Sequence, residues 1–413
     1  MNLKLRTSLV LLGLTVVAPF ARAQNPAPNA ETPPLSLADA IAKGKFSLNA
    51  RLRWEHADQS NLNESDAYTL RTRFGFTTAS TNGLQAMIEG ENITVIGDDG
   101  RYNAAGTNPN GAGRTVIGDP AVTALNQAWL SYTGGGATLK AGRQRIVWDN
   151  ARFVGDVGWR QNMQTFDAAT LIAKPAKTLT ANYAYLWKVS RFFGNKAPQW
   201  DWKSNSHLFN VAYTGWKPGT LTGYAYLLHF KNSAANSSAT YGASFVGSTP
   251  LSKAAKLTYR LEGATQSDAH NNPLGYTARY FVAELGAAIA PFDFAVGHEI
   301  LGSDDGRKGF STPIATLHTF NGWADVFTAT PARGLRDTYI SAGVTLPGGY
   351  PVKLIWHDYE SDNGGLDYGD ELNAIVSHKV GKNWTLLAKY AEYNAKPPFF
   401  DTRKIWIQVE MNY

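Results

Sequence analysis

Between positions 142 and 168 the chain reads GRQRIVWDNARFVGDVGWRQNMQTFDA. Four arginines, Arg143, Arg145, Arg152 and Arg160, are interleaved with Trp148, Phe153, Trp159 and Phe166. A guanidinium is a planar fork of donors that grips a carboxylate with two hydrogen bonds and stays charged at any working pH. Aromatic faces pack against guanidinium planes and sugar rings. The stretch therefore has the chemistry to bind an organic anion. Asp149, Asp156 and Asp167 lie close enough in sequence to orient the arginines by ion pairing. The alternative is a structural turn whose charges satisfy one another.

No catalytic pattern competes with this stretch. The eight histidines (56, 207, 229, 270, 298, 318, 357 and 378) show no metal-ligand spacing. There is no GxSxG, phosphate-binding loop or HExxH sequence. With no cysteine, disulfide frameworks and thiolate chemistry are excluded. The expectation is a protein that is not an enzyme and carries no cofactor or resident metal.

The elements that must position the arginines begin after a targeting segment, expected over 1–23. Lys4 and Arg6 precede an apolar run, and Ala21-Arg22-Ala23 is a small-x-small cleavage site. Its removal takes away three bases and no acid, so the formal charge falls from +6 to +3. Global charge then says little about partners, and nothing points to nucleic acid. Residues 24–44 read as a Pro- and Asn-rich tether followed by LSLADAIAK, a short helix or lead-in.

From position 45 to 413 the hydrophobic period is two. In FSLNARLRWEH, Phe46, Leu48, Ala50, Leu52 and Trp54 share one face, while Arg51, Arg53 and Glu55 lie on the other. The next run sets Leu70, Thr72, Phe74 and Phe76 against Arg71 and Arg73. Asn82-Gly83 marks a tight hairpin, and a polar stretch at 97–120 follows the next strand. An exported chain with 12 Trp, 19 Tyr and 19 Phe, sustained alternation and no apolar run long enough for a spanning helix suggests the other membrane solution. The expected fold is all-β, a transmembrane antiparallel barrel of about 18 strands. Tight turns such as 81–83 and 217–219 would face the periplasm, and the long connections 97–120 and 302–334 would lie outside.

The last strand alternates Ile405, Ile407, Val409, Met411 and Tyr413 with polar residues and stops on the aromatic, a signal suited to the barrel-assembly machinery. If apolar faces meet lipid, Arg51, Arg53, Arg71 and Arg73 face a water-filled bore, joined by Lys256, Arg260, Glu299, Asp358, Lys389, Lys404 and Glu410. Arg143 and Arg145 share parity with Leu139, so either a bulge resets the register there or the strand ends early. Basic linings select anions.

The 142–168 stretch also resembles the alginate-export outer-membrane proteins, in which a GRQ strand end precedes an Arg-Phe-x-Gly turn, a Trp-Arg-Gln and a Phe-Asp-Ala strand start. RLRWEH, LRTRFGF and the aromatic C-terminus agree with the same family. The resemblance implies a monomeric eighteen-stranded barrel with an arginine-lined constriction passing an anionic polyuronate. It implies Arg143, Arg152 and Arg160 as lining residues, with Asp149, Asp156 and Asp167 as their organisers. A periplasmic partner of an export or catabolic system goes with such a channel. On that basis, replacing Arg152 and Arg160 would shift selectivity and leave the barrel folded. Two other readings stay open: an uptake porin for small organic anions or sugars, and a surface adhesion or structural barrel.

Overall fold

The computed structural model describes residues 35–198 and 200–413. The targeting segment expected over 1–23 and the tether up to residue 34 lie outside the described residues. Eighteen strands form one closed antiparallel sheet in which each pairs with its sequence neighbours. Closure comes from the last strand, Thr402–Asn412, pairing with the first, Lys45–Gln59, in a register running from Gln59↔Thr402 to Asn49↔Asn412. Every strand thus has two partners and no edge is left open to lipid, where an unpaired backbone group is costly. This is the architecture that the period-two pattern predicts.

Alternation sorts side chains to the two faces. Along the first strand Arg51, Arg53, Glu55 and Ala57 are buried, while Leu52 is exposed. Along the second, Ser65–Thr77, Thr69, Arg71 and Arg73 are buried, while Tyr68 and Phe74 are exposed. The exposed apolar band continues around the barrel through Leu130, Leu261, Leu285, Ile340 and Ile407. Asp358 departs from the expected lining and lies on the outward face, since its strand neighbours His357 and Tyr359 are buried and Leu354 and Trp356 are exposed. It sits near the strand end, where the outer wall leaves the apolar band and a charge is tolerated.

Connections alternate in length. Asn82 (φ 48°) and Gly83 (φ 82°) form a two-residue turn between Thr81 and Leu84, with both backbone hydrogen bonds made. The turns at 135–136 and 347–349 lie at the same end. The segments 96–121, 145–164 and 302–334 all emerge from the other. Of these, 302–334 is not the external loop expected of it. Phe310, Ile314, Ala315, His318, Trp323, Ala324 and Phe327 are buried, because the segment folds back into the barrel.

Candidate functional site

The arginine-rich stretch is the second inward segment. Its strand, Ala137–Gln144, ends early, and Arg145 begins a crossing of the bore. The path is tightly turned: Asp149, Ala151 and Val157 all adopt positive φ (51°, 67° and 52°), a conformation costly for a β-branched residue. Local bonds hold it, with Trp148 N donating to Val154 O at 3.1 Å and Gln164 N to Asp156 O at 2.7 Å.

On one wall Phe153 inserts among Tyr224, Tyr226, Tyr280 and Phe310, with ring centroids 5.1–5.9 Å away. Beside it Arg152 binds Glu299 through two nitrogens (2.8 and 3.1 Å) and donates to Asn321 Oδ1 at 3.0 Å. On the opposite wall the four arginines of the first two strands clamp the segment's main chain. Arg51 Nη1 donates to the carbonyls of Gly158 (3.2 Å) and Trp159 (3.0 Å). Arg53 Nη2 donates to Trp159 O at 2.7 Å, with its guanidinium 4.2 Å from the Trp159 ring centroid. Arg73 Nη2 donates to Gln161 O at 3.1 Å, and Arg71 Nη1 reaches the same oxygen at 3.5 Å. Three carboxylates balance this ladder: Glu410 is shared by Arg51 and Arg71, Glu91 pairs with Arg73, and Asp119 pairs with Arg53.

The third segment locks onto the second. Gly155 N donates to Ile314 O (2.8 Å), Thr316 N to Ala151 O (3.0 Å) and Val157 N to Thr316 Oγ1 (3.1 Å). A Cβ on Gly155 would fall 2.2 Å from Thr316 Oγ1 and 2.7 Å from Thr316 N, so the approach requires glycine. Arg160 bridges from Glu55 (3.1 Å) to Asp325 (2.5 Å), and Asp325 also receives His318 Nδ1 (2.7 Å) and Lys404 Nζ (3.3 Å). The His318 ring stacks on Trp159 at 4.6 Å and 5°. Its other nitrogen lies 2.6 Å from Lys389 Nζ, which sits 3.7 Å from the Trp323 ring centroid and 4.2 Å from that of Trp159.

The expected lining residues therefore divide. Arg51, Arg53, Arg71 and Arg73 face the bore but spend several donors on the crossing segment. Arg152 and Arg160 are buried members of ion pairs. Arg145 turns inward to Asp156 (2.5 Å) with its side chain 46% exposed, the most accessible of the segment's arginines. Arg260 faces the bore from the far wall, paired with Glu262, and Lys256 shares its parity nearer the short turns. Arg143 does not line the bore. Gln144 and Phe166 are buried, so the opposite face carrying Arg143 and its cross-strand partner Asp167 (2.7 Å) is the outer wall. Asp156 pairs with Arg145, and Asp167 with Arg143 on the outer wall. Asp149 instead accepts from Asn210 at 2.7 Å.

Above the crossing segment, on the long-loop side, lies a cleft of about 230 Å³ that the sequence did not single out. Arg152, Arg191 and Lys308 contribute to its lining with Trp202, Phe327, Asn321 and small hydroxyl residues, and no acid is among the described residues that line it. Arg191 stands over the Trp202 ring at 4.4 Å. Arg191 and Lys308 come from connections with no periodicity, so only folding brings them beside Arg152.

The alginate export family profile matches residues 43–280. No curated protein matches the sequence. Among solved structures, Pseudomonas aeruginosa OccK9 (OpdG) superposes with a TM-score of 0.72 at 12% identity, over 91% of this chain and 100% of that one. OpdK of the same organism, crystallised with vanillate, gives 0.72 at 13%, over 90% and 100%. Acinetobacter baumannii OccAB2 gives 0.72 at 13%, over 91% and 99%. At these identities the likeness is one of fold.

Proposed function

Because the chain belongs to the alginate-export family and is an outer-membrane channel of a Gram-negative bacterium, we propose that it passes anionic saccharides, alginate-like uronates among them, by passive diffusion guided by charge. The observation that carries this reading is the cleft at the long-loop mouth, where Arg191 and Lys308 stand beside Arg152, itself paired with Glu299, and no carboxylate is among the described lining residues. Low-dielectric walls focus such a field and raise the local concentration of anions. Trp202 and Phe327 add aromatic rings to the lining of the cleft, Trp202 beneath the Arg191 guanidinium. The reading makes the protein a pore without catalytic turnover. It also leaves direction of transport to the gradient and to any periplasmic partner.

Reversal potentials in a planar bilayer under a salt gradient test it. The wild-type pore is expected to prefer anions, and Lys308→Gln to weaken that preference most at low salt, where screening is least. A cation-preferring pore, or one indifferent to Lys308→Gln, would overturn the assignment. A second reading, uptake of small organic anions, is favoured by the modest volume of the cleft and the firm anchoring of both inward segments. It predicts that monomeric uronates, and not oligomers, reduce ion current through the pore.

A further inference from the structure

A short helix, Leu37–Ala42, precedes the first strand at the short-turn end. Ser36 caps it, accepting from Asp39 N at 3.1 Å and donating to the Asp39 carboxylate at 2.7 Å. One face is fastened to the barrel: Ala40 is buried, and its carbonyl accepts from Ala79 N at 2.9 Å in the turn after the second strand. The other face presents Leu37 and Ile41, one turn apart and 72% and 52% exposed.

Two large apolar side chains on a six-residue helix held this firmly call for a covering partner, and the surroundings indicate which. Gly44 runs so close to Phe76 that a Cβ there would lie 2.2 Å from the ring. Phe76 packs on Phe46 (4.8 Å), and Phe46 stacks on Phe74 (5.6 Å). Phe46 and Phe74 are exposed on the outward face, where the barrel meets lipid. The helix is thus joined through Lys43 and Gly44 to the lower rim of the lipid belt. Lys43, exposed, follows the helix directly, where a cationic side chain can reach lipid phosphates, while Lys45 shares the inward parity of Arg51 and Arg53.

We propose that this helix is an interfacial anchor, with Leu37 and Ile41 inserted into the phospholipid leaflet at the short-turn end and Lys43 on its headgroups. The chain contains no cysteine, so a single introduced thiol is labelled uniquely. Leu37→Cys, Ile41→Cys and Lys43→Cys, each carrying a polarity-sensitive fluorophore, are reconstituted as full-length protein in phosphatidylethanolamine–phosphatidylglycerol vesicles. Each of the first two variants keeps the other apolar side chain, and heat-modifiable migration verifies the barrel. Labels at 37 and 41 are expected to be quenched by brominated acyl chains and to be several-fold less accessible to aqueous iodide than the label at 43. Equal iodide access at all three positions would overturn the proposal. So would shielding from iodide without acyl-chain quenching, which would mean that a second copy or another protein covers the helix.

Discussion

Arg152 and Arg160 show what arginine does in this molecule. Each is buried against carboxylates: Glu299 pairs with Arg152, while Arg160 pairs with Glu55 and with Asp325, which it shares with Lys404 and His318. Removing one partner of a buried pair typically costs about 3–5 kcal/mol, because the other charge is left uncompensated. Arg152→Ala and Arg160→Ala are therefore expected to lower the temperature at which the folded, heat-modifiable species disappears. Arg145→Ala, at a side chain nearly half exposed, should scarcely move it. Equal effects at all three positions would refute this division. Acid should act on the same hub. Burial pushes His318 well below the ordinary histidine value, with Asp325 only partly offsetting it. Burial alone would raise Asp325, but His318, Lys404 and Arg160 hold it well below the usual carboxylate range. Both groups bind protons less readily folded than unfolded, so each contributes stability above its unfolded value that is lost on acidification. The packing of the third segment should loosen progressively as pH falls below about 6.5, the ordinary histidine value. Growing current noise would report it, and His318→Gln should shift the onset to lower pH, where Asp325 alone titrates.

At the scale of elements, the strands were legible because their pattern is a direct consequence of a two-sided wall: the runs around Arg51, Arg71 and Ile405 each declare lipid on one side and water on the other. The turn at Asn82-Gly83 was legible because only certain residues tolerate two successive positive φ values. The inward course of 302–334 was not. Polar composition does not distinguish a loop in solvent from one whose polar groups are satisfied inside a barrel, and its anchors Asn321, Asp325 and His318 find partners far away in sequence. Arg143 was misplaced for a related reason. Near the rim an outward charge with a cross-strand partner costs little, so the parity of Leu139 holds although the residue is charged. Protease sensitivity separates the two kinds of loop. A broad-specificity protease added to intact cells should reach Asp305–Arg307 and Thr328–Arg333 and spare the buried run from Phe310 to Phe327, whereas a loop lying wholly outside would be cut throughout.

For the molecule as a whole, the closing seam carries the assembly. Tyr413 exchanges two backbone hydrogen bonds with Leu48 (2.8 and 2.9 Å) while its ring stands 81% exposed on the outer surface. Deleting Tyr413 should reduce the yield of folded barrel in the outer membrane more than it reduces the melting temperature of the barrels that do form; an unchanged yield would remove the terminal aromatic from any part in assembly. The arginine ladder has a different kind of consequence. Arg51, Arg53, Arg71 and Arg73 hold the crossing segment by the carbonyl oxygens of Gly158, Trp159 and Gln161, and a carbonyl is common to every amino acid. The tether is thus largely blind to the letters it restrains. New side chains could be written into the crossing segment, at Arg145 for instance, and be held on the same track, which makes this barrel a frame with an exchangeable filter.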